Sequence, residues 1–297
     1  MIYPKISIVT PSYNQGQFIE QTIQSVLSQN YPNLEYIIMD GGSTDDTVEI
    51  IKKYENQLTY WVSEKDKGQA HAINKGLARC TGEIFNWLNS DDYLEPGALY
   101  KIAEAFANKQ IQVVAGAVRN FSENETVIVN NSKLTARGLM CWEPGVKFVQ
   151  PGVWLRSALI QRCGGIDEQF HYAFDWDLYI RYLYHFPAVK EIEDLLVHFR
   201  LHEESKTQTS REKFADEERE IIKKISGLAD FSGLHKTCQY KISKTEWTRF
   251  LSAQSTSSTS VLNKIFQVLC HMPQFYRVSF SRQTAGALNA IIKGRKI

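Results

Sequence analysis

The chain has 297 residues, 43% of them hydrophobic and 23% charged, which is enough apolar content for one large domain or a domain with an appendage. Its 34 Lys and Arg stand against 33 Asp and Glu, and a formal net charge of +1 excludes a global basic field for nucleic acid. No apolar run reaches the ~18 residues of a membrane-spanning helix, and five cysteines, an odd number with no C-x-x-C pair, point to a reduced, cytosolic protein with buried thiols.

Met1-Ile2-Tyr3-Pro4-Lys5 has no signal-peptide layout and runs straight into a β-rich stretch over residues 5–10. Pro11-Ser12-Tyr13-Asn14-Gln15-Gly16 ends it. Phe18, Ile19, Thr22, Ile23, Val26 and Leu27 then recur at helical spacing and predict an amphipathic helix to about Gln29. Residues 34–39 are nearly continuously apolar, like a strand buried on both faces of a parallel sheet. Asp40-Gly41-Gly42-Ser43-Thr44-Asp45-Asp46-Thr47 follows, in which Ser43 with Asp46 resembles a capping box for a helix through Val48, Ile51 and Tyr54. Further strands are predicted over 58–62, 83–88, 113–118, 126–130, 146–155 and 189–199. Helices are predicted through Ala70 to Leu77, over 98–108, from Ser157 to the Gly164-Gly165 stop, and over 175–186. The short alternation of strand and helix predicts an α/β fold, with a doubly wound, mostly parallel sheet flanked by helices.

The strand over 83–88 runs into Asn89-Ser90-Asp91-Asp92, followed by Pro96-Gly97. Two adjacent acids repel unless a cation neutralises them, and all-oxygen ligation suits Mg²⁺ or Mn²⁺. Ser-Asp-Asp is also ordinary turn chemistry. Four polar strand ends, at 10–14, 40–44, 64–68 and 89–92, fall on the sheet edge where open α/β proteins bind ligands. There Asp40 can accept a hydrogen bond from a uracil imide N–H, Tyr13 can stack on a base, and Gly41-Gly42 lets backbone approach a ligand. No G-x-G-x-x-G stretch is present, which argues against a dinucleotide cofactor. Gly68 opens a helix whose N-terminus suits phosphate, with Asp66 and Lys67 beside it. Gln150-Pro151-Gly152, Trp142, Trp154 and Trp176 are candidates for stacking on a sugar, although each also reads as core.

Val9-Thr10-Pro11-Ser12-Tyr13-Asn14, Met39-Asp40-Gly41-Gly42-Ser43-Thr44-Asp45-Asp46-Thr47 and Leu88-Asn89-Ser90-Asp91-Asp92 occur in that order. They are followed by Gly164-Gly165-Ile166-Asp167-Glu168, Phe174-Asp175-Trp176-Asp177-Leu178 and Arg200-Leu201-His202. This ordered set resembles family-2 glycosyltransferases of the GT-A fold, over about residues 4–203. The resemblance implies an inverting transfer from a nucleotide diphosphate sugar, with UDP-sugar favoured, to a carbohydrate or glycolipid acceptor in surface polysaccharide or glycoconjugate synthesis. It implies that Pro11, Tyr13 and Asp40 hold the nucleobase; Thr10 and Lys67 are also expected on the donor side. Asp91 would sit near ribose and metal. Asp92 would match the last acid of the D-x-D motif and ligate Mn²⁺ or Mg²⁺ directly, with His202 completing the metal site. Asn89 stands where the family often has Asp. Asp175 takes the place of the catalytic base, where the family pattern is usually Glu-Asp, and Phe174 and Trp176 would partly desolvate it. Asp175 also reads as a cap of the helix it opens, and Asp177 as a structural acid. Two rivals from other classes are a non-catalytic sugar-nucleotide-binding subunit and a nucleotidyltransferase. The latter is disfavoured by the absence of a basic residue in 10–16.

Residues 1–203 are thus expected to form the glycosyltransferase domain and 204–297 a helical C-terminal extension. The extension comprises a densely charged helix over 206–224, a linker-like stretch over 255–260, and amphipathic segments over 261–270 and 285–292 beside Arg277, Arg282, Lys293, Arg295 and Lys296. These helices are expected to pack on the main domain, with a homodimer contact or a place on the inner face of the membrane as alternatives.

Overall fold

The computed structural model describes residues 3–202 and 211–295. The chain divides into two units between Glu217 and Glu218. The boundary expected near residue 204, and the start of the charged helix at Lys206, lie outside the described residues.

The first unit is built on one sheet of nine strands: β1 (Ile6–Ser12), β2 (Leu34–Asp40), β3 (Tyr60–Ser63), β4 (Ile84–Trp87), β5 (Tyr93–Leu94), β6 (Val113–Phe121), β7 (Thr126–Asn130), β8 (Val153–Arg156) and β9 (Val189–Arg200). The order is β3-β2-β1-β4-β8-β6-β9-β5, with β7 paired to β6. The β3-β2-β1-β4 half is parallel throughout, with Ile6 opposite Leu34 and Ser12 opposite Asp40. Beyond it β8 runs antiparallel to β4 and β6, while β9 is parallel to β6. Every residue of β1 is buried, as a central parallel strand covered on both faces requires.

Helices α1 (Ile19–Leu27), α2 (Thr47–Lys53), α3 (Gln69–Leu77) and α4 (Ala98–Ala105) connect the strands. Ile19, Ile23 and Val26 of α1, Ile50 and Ile51 of α2, and Leu99 and Ile102 of α4 join Ile6, Ile8, Tyr36 and Ile38 in one core. The helix α3 packs on β1 and β2 through Ala70, Ala72, Ile73 and Leu77. The remaining helices of this region are α5 (Ala136–Cys141), α6 (Ser157–Arg162) and α7 (Phe174–His185). All residues of α7 from Trp176 to Leu183 are buried. Inside it Asp177 accepts from Arg181 Nε at 2.9 Å, and Arg181 also donates to Gly165 O at 2.8 Å. This buried pair satisfies itself and holds the Gly164-Gly165 turn against the helix.

Two expectations change. The strand expected over 146–155 is replaced by a 3₁₀ turn, Gln150–Gly152, and the short β8. The buried Gln150 amide bonds Asn86 Oδ1 at 2.9 Å and Trp87 O at 3.2 Å, which turns the chain before it can pair as a strand. Ser43 caps no helix, since α2 begins at Thr47 and it is Asp45 Oδ1 that accepts from Thr47 N at 3.1 Å.

The second unit holds most of α8 (Arg211–Gly227), then α9 (His235–Thr256), α10 (Val261–His271), α11 (Tyr276–Ser279) and α12 (Arg282–Ile292). Trp247, Leu251, Val268, Val278, Ala287 and Ile291 form its core. Trp247 Nε1 donates to the buried Thr284 hydroxyl at 2.9 Å. The linker-like stretch is a tight connection, because Ser255 and Thr256 end α9 and Ser260 caps α10 through Asn263 N.

Candidate active site

The strand-end loops on the C-terminal edge of the parallel half are stitched to one another. Asn14 N donates to Ser43 Oγ at 2.7 Å, and Thr44 N donates to Asn14 Oδ1 at 2.9 Å. Gly41 N reaches Ser12 O at 2.8 Å, Glu64 N reaches Asp40 O at 3.0 Å, and Leu88 N reaches Val9 O at 3.0 Å. Asp40, 1% exposed, is the knot. It accepts from Ser43 N at 2.9 Å, Gly42 N at 3.1 Å, Ser63 Oγ at 2.6 Å and Ser43 Oγ at 2.5 Å. Ser43 therefore serves Asp40 instead of the helix. Beside it, a Cβ on Gly41 would lie 2.8 Å from Asp66 Oδ2, so only glycine leaves room for that second carboxylate. Asp66 Oδ1 in turn accepts from Gly68 N at 2.7 Å, at a φ of +113° that favours glycine.

The acids after β4 have unequal surroundings. Asp92 is 1% exposed. Its Oδ1 accepts from Arg200 N at 2.9 Å and its Oδ2 from Asn89 Nδ2 at 3.3 Å. Asn89 Oδ1 accepts from Gln69 Nε2 at 2.8 Å, so an amide here bridges α3 to the buried acid, where a carboxylate would repel it. Burial, and then the Asp91 charge, push the Asp92 carboxyl well above the usual carboxylate range, against the hydrogen bonds from Arg200 N and Asn89. Asp91 is more open, with a side chain 21% exposed, and its Oδ2 lies 3.0 Å from Nε2 of the partly exposed His202. Thr22 Oγ1 lies within hydrogen-bond distance of Ser90 O and Asp92 O. Arg200 Nε donates to Asp91 O at 3.1 Å and its guanidinium to Gln21 Oε1 at 2.6 Å. The turn carrying the acids is thus fixed from α1, α3 and β9 together.

Asp175 lies in the first turn of α7, half-buried between buried Phe174 and Trp176. It does not cap the helix in the expected way. The helix starts one residue earlier, and Asp175 Oδ1 accepts from Trp176 N at 2.7 Å. The Phe174 ring lies 6.0 Å from that of Trp87, which ends β4, and this brings the start of α7 to the same strand end as Asp91. The approach to α7 is held by Glu217 of α8, whose carboxylate accepts from the backbone N–H of His171, Tyr172 and Ala173, each at 2.8 Å.

Among the other expected residues, Thr10 is fully buried, with Oγ1 3.1 Å from Tyr36 OH. Pro11 is buried, while Tyr13 is 59% exposed and Lys67 is exposed. Trp154 and Trp176 are buried in the core, with Trp176 Nε1 donating to Leu139 O at 3.2 Å, so neither offers a face to a sugar; Trp142 is exposed. Gln69, Thr22, Arg200 and Glu217 carry no expected role from the sequence. For Arg200 the signal lies in its place beside His202. Glu217 stands 44 positions beyond Ala173 and no local spacing reveals it. Among the described residues, no three His, Cys, Asp or Glu gather as a metal site.

The family model described as glycosyl transferase family 2 matches residues 7–163. A putative teichuronic acid biosynthesis glycosyltransferase, TuaG of Bacillus subtilis, is 40% identical over 104 residues, 34% of this chain and 41% of that protein. The crystal structure of S. aureus TarS 1–349 in complex with UDP-GlcNAc superposes with a TM-score of 0.64 at 17% identity, over 98% of this chain and 92% of that one. The mannosyltransferase PcManGT of Pyrobaculum calidifontis, in complex with GDP-Man and Mn²⁺, gives 0.59 at 16% identity, over 99% and 86%. At such identities these two structures show the shared fold.

Proposed function

The chain belongs to glycosyl transferase family 2, and from that premise we propose that it transfers a sugar from a UDP-sugar to an acceptor hydroxyl with inversion, in a single displacement. The acceptor is a carbohydrate or glycolipid of a surface polysaccharide or glycoconjugate. The observation that carries this proposal is the open Asp91, facing His202 at the strand end to which the start of α7 brings Asp175. UDP-GlcNAc in TarS and the teichuronic acid relative support the donor class and the polysaccharide setting.

On the donor side, Tyr13 and Pro11 flank the base, and the half-buried Asp66 accepts its imide N–H, while Asp40, with both oxygens engaged, fixes the loop beside it. Thr10 shapes that floor from beneath. Gly68 N and Lys67 face the diphosphate. Asp91 and His202 fit a divalent ion, since one carboxylate oxygen and one imidazole nitrogen stand 3.0 Å apart and partly open. They would hold such an ion together with the donor phosphates, and it would supply neutralisation of charge on the departing diphosphate. Because both Asp92 oxygens are engaged by Arg200 N and Asn89, we move the metal-facing role from Asp92 to Asp91 and give Asp92 the task of fixing the turn. Asp175 takes the proton from the acceptor hydroxyl as that oxygen attacks the anomeric carbon, on the face opposite the diphosphate.

The test is a nucleoside-diphosphate release assay with Mn²⁺ across UDP-, GDP- and dTDP-sugars. Metal-dependent release from a UDP-sugar is expected, abolished in Asp91→Ala. Absence of both release and donor binding across the panel would overturn the proposal. So would a product with retained anomeric configuration from a verified single turnover.

A further inference from the structure

We propose that the C-terminal unit docks on an anionic lipid bilayer through an exposed apolar stripe on α10 and the exposed basic residues of the same acid-free segment, 247–297. Seven of the 34 Lys and Arg, and none of the 33 Asp and Glu, fall in residues 247–297. Residues 1–246 are left with 27 basic against 33 acidic residues, so a chain of net charge +1 is in fact segregated into an acidic part and a purely basic one. Arg249, Arg277, Arg282, Lys293 and Arg295 are all exposed.

The same unit exposes large apolar side chains. In α10, Ile265 and Val268 face the core. The residues at i, i+4 and i+7 form a second stripe, with Leu262 81%, Phe266 60% and Leu269 52% exposed. Asn263 and Gln267 lie on the remaining side. The helix is therefore apolar over two adjacent stripes, and packing within the unit uses one. Phe280, just past α11, is 81% exposed as well.

Charge decides what covers this surface. A second copy on a two-fold axis would bring together two copies of a segment that carries seven basic residues and no acid. A phosphate backbone would meet the basic groups but not Leu262, Phe266 and Phe280. A bilayer with anionic headgroups over hydrocarbon satisfies both, the geometry of an amphipathic helix lying in the interface. Among the described residues no helix is long and apolar enough to cross a membrane, so the contact is with the surface. This inference stands on the C-terminal unit alone and is independent of the donor chemistry.

The test is cosedimentation of the full chain with vesicles of phosphatidylcholine alone or in equal parts with phosphatidylglycerol. Binding to the anionic vesicles is expected, falling at least tenfold on phosphatidylcholine alone or in high salt. Leu262→Ser with Phe266→Ser should cut it by roughly tenfold or more, without changing the melting temperature, because both side chains are exposed. Arg277→Gln with Arg282→Gln should cut it on anionic vesicles by a similar factor, about fivefold per charge. No binding to anionic vesicles, or binding untouched by both pairs, overturns the proposal. So does a micromolar dimer in sedimentation equilibrium that Leu262→Ser and Phe266→Ser dissociate, since it would assign the stripe to a second copy.

Discussion

The two edges of the parallel half-sheet treat their acids in opposite ways. At the N-terminal edge, Glu35 of β2 is 3% exposed and accepts from Lys5 Nζ at 2.8 Å, Thr81 N at 2.7 Å, Thr81 Oγ1 at 2.8 Å and the Ser7 hydroxyl. Burial alone would push its carboxyl up, but the hydrogen bonds from Lys5, Ser7 and Thr81 outweigh it and hold the group at about 2. At the C-terminal edge, Asp92 is more deeply buried, has two neutral donors and sits beside another carboxylate, and burial first and then the Asp91 charge push its carboxyl the other way. One edge neutralises its acid and spends it on stability. The other leaves acid charge under-compensated, which an external cation can meet.

If that contrast holds, the largest effect belongs to the open edge. Asp91→Asn should lower donor turnover by roughly 10³-fold, as loss of a metal-facing carboxylate does. Its melting temperature should stay near wild type, because the side chain is partly open. A parallel collapse of stability would break the contrast. Asp175→Asn comes next. It should leave donor binding intact, measured calorimetrically, and reduce transfer to acceptor by about 10²–10⁴-fold, the range for a lost general base. Loss of donor binding would move Asp175 out of that role.

The closed edge should give a stability effect without a catalytic one. Glu35 is ionised well below its ordinary value of 4.5, so its contribution is fully present above that pH and is lost as pH falls toward 2. The shift corresponds to about 3 kcal/mol. Denaturant titrations from pH 7 to pH 2 should show that slope in the wild type and lose it in Glu35→Gln, with donor affinity at pH 7 unchanged.

Much of the open edge is legible in the sequence, because Asn89-Ser90-Asp91-Asp92 and the run from Asp40 interrupt apolar strands at the point where a parallel sheet ends. The strand-helix alternation is legible for the same reason. Glu35 is not, since it lies within a run that reads as apolar and its partners Ser7 and Thr81 come from other strands and loops. The unequal surroundings of Asp91 and Asp92 are equally hidden. They depend on Arg200 N, 108 positions away, reaching one acid and not the other. Ser43 misleads by its spacing, since a capping box and a clasp on Asp40 use the same residue type at the same place.

Glu217 sharpens the comparison, because it is an acid at the open edge that is satisfied as fully as Glu35 is at the closed one. Its carboxylate holds three consecutive N–H groups, of His171, Tyr172 and Ala173, immediately before the helix that carries Asp175. The far end of the same loop is tied to α3, where Asn74 Nδ2 donates to Ile166 O at 2.9 Å and Glu168 Oε1 at 2.8 Å. In the proposed mechanism Glu217 is a positioning residue, since it touches only the backbone before the helix that carries Asp175. Glu217→Ala should cost about 1–3 kcal/mol of stability, the range for charge-assisted hydrogen bonds to buried or half-buried groups. It should also lower kcat for transfer by roughly tenfold at unchanged donor KM, as displacement of a base does. Glu217→Gln keeps an accepting oxygen and should recover most of kcat. Loss of stability alone, with kcat intact, would reduce Glu217 to a structural cap. A raised donor KM would assign the loop to the donor instead, since His171 Nδ1 stands only 3.5 Å from where a Cβ on Gly68 would lie.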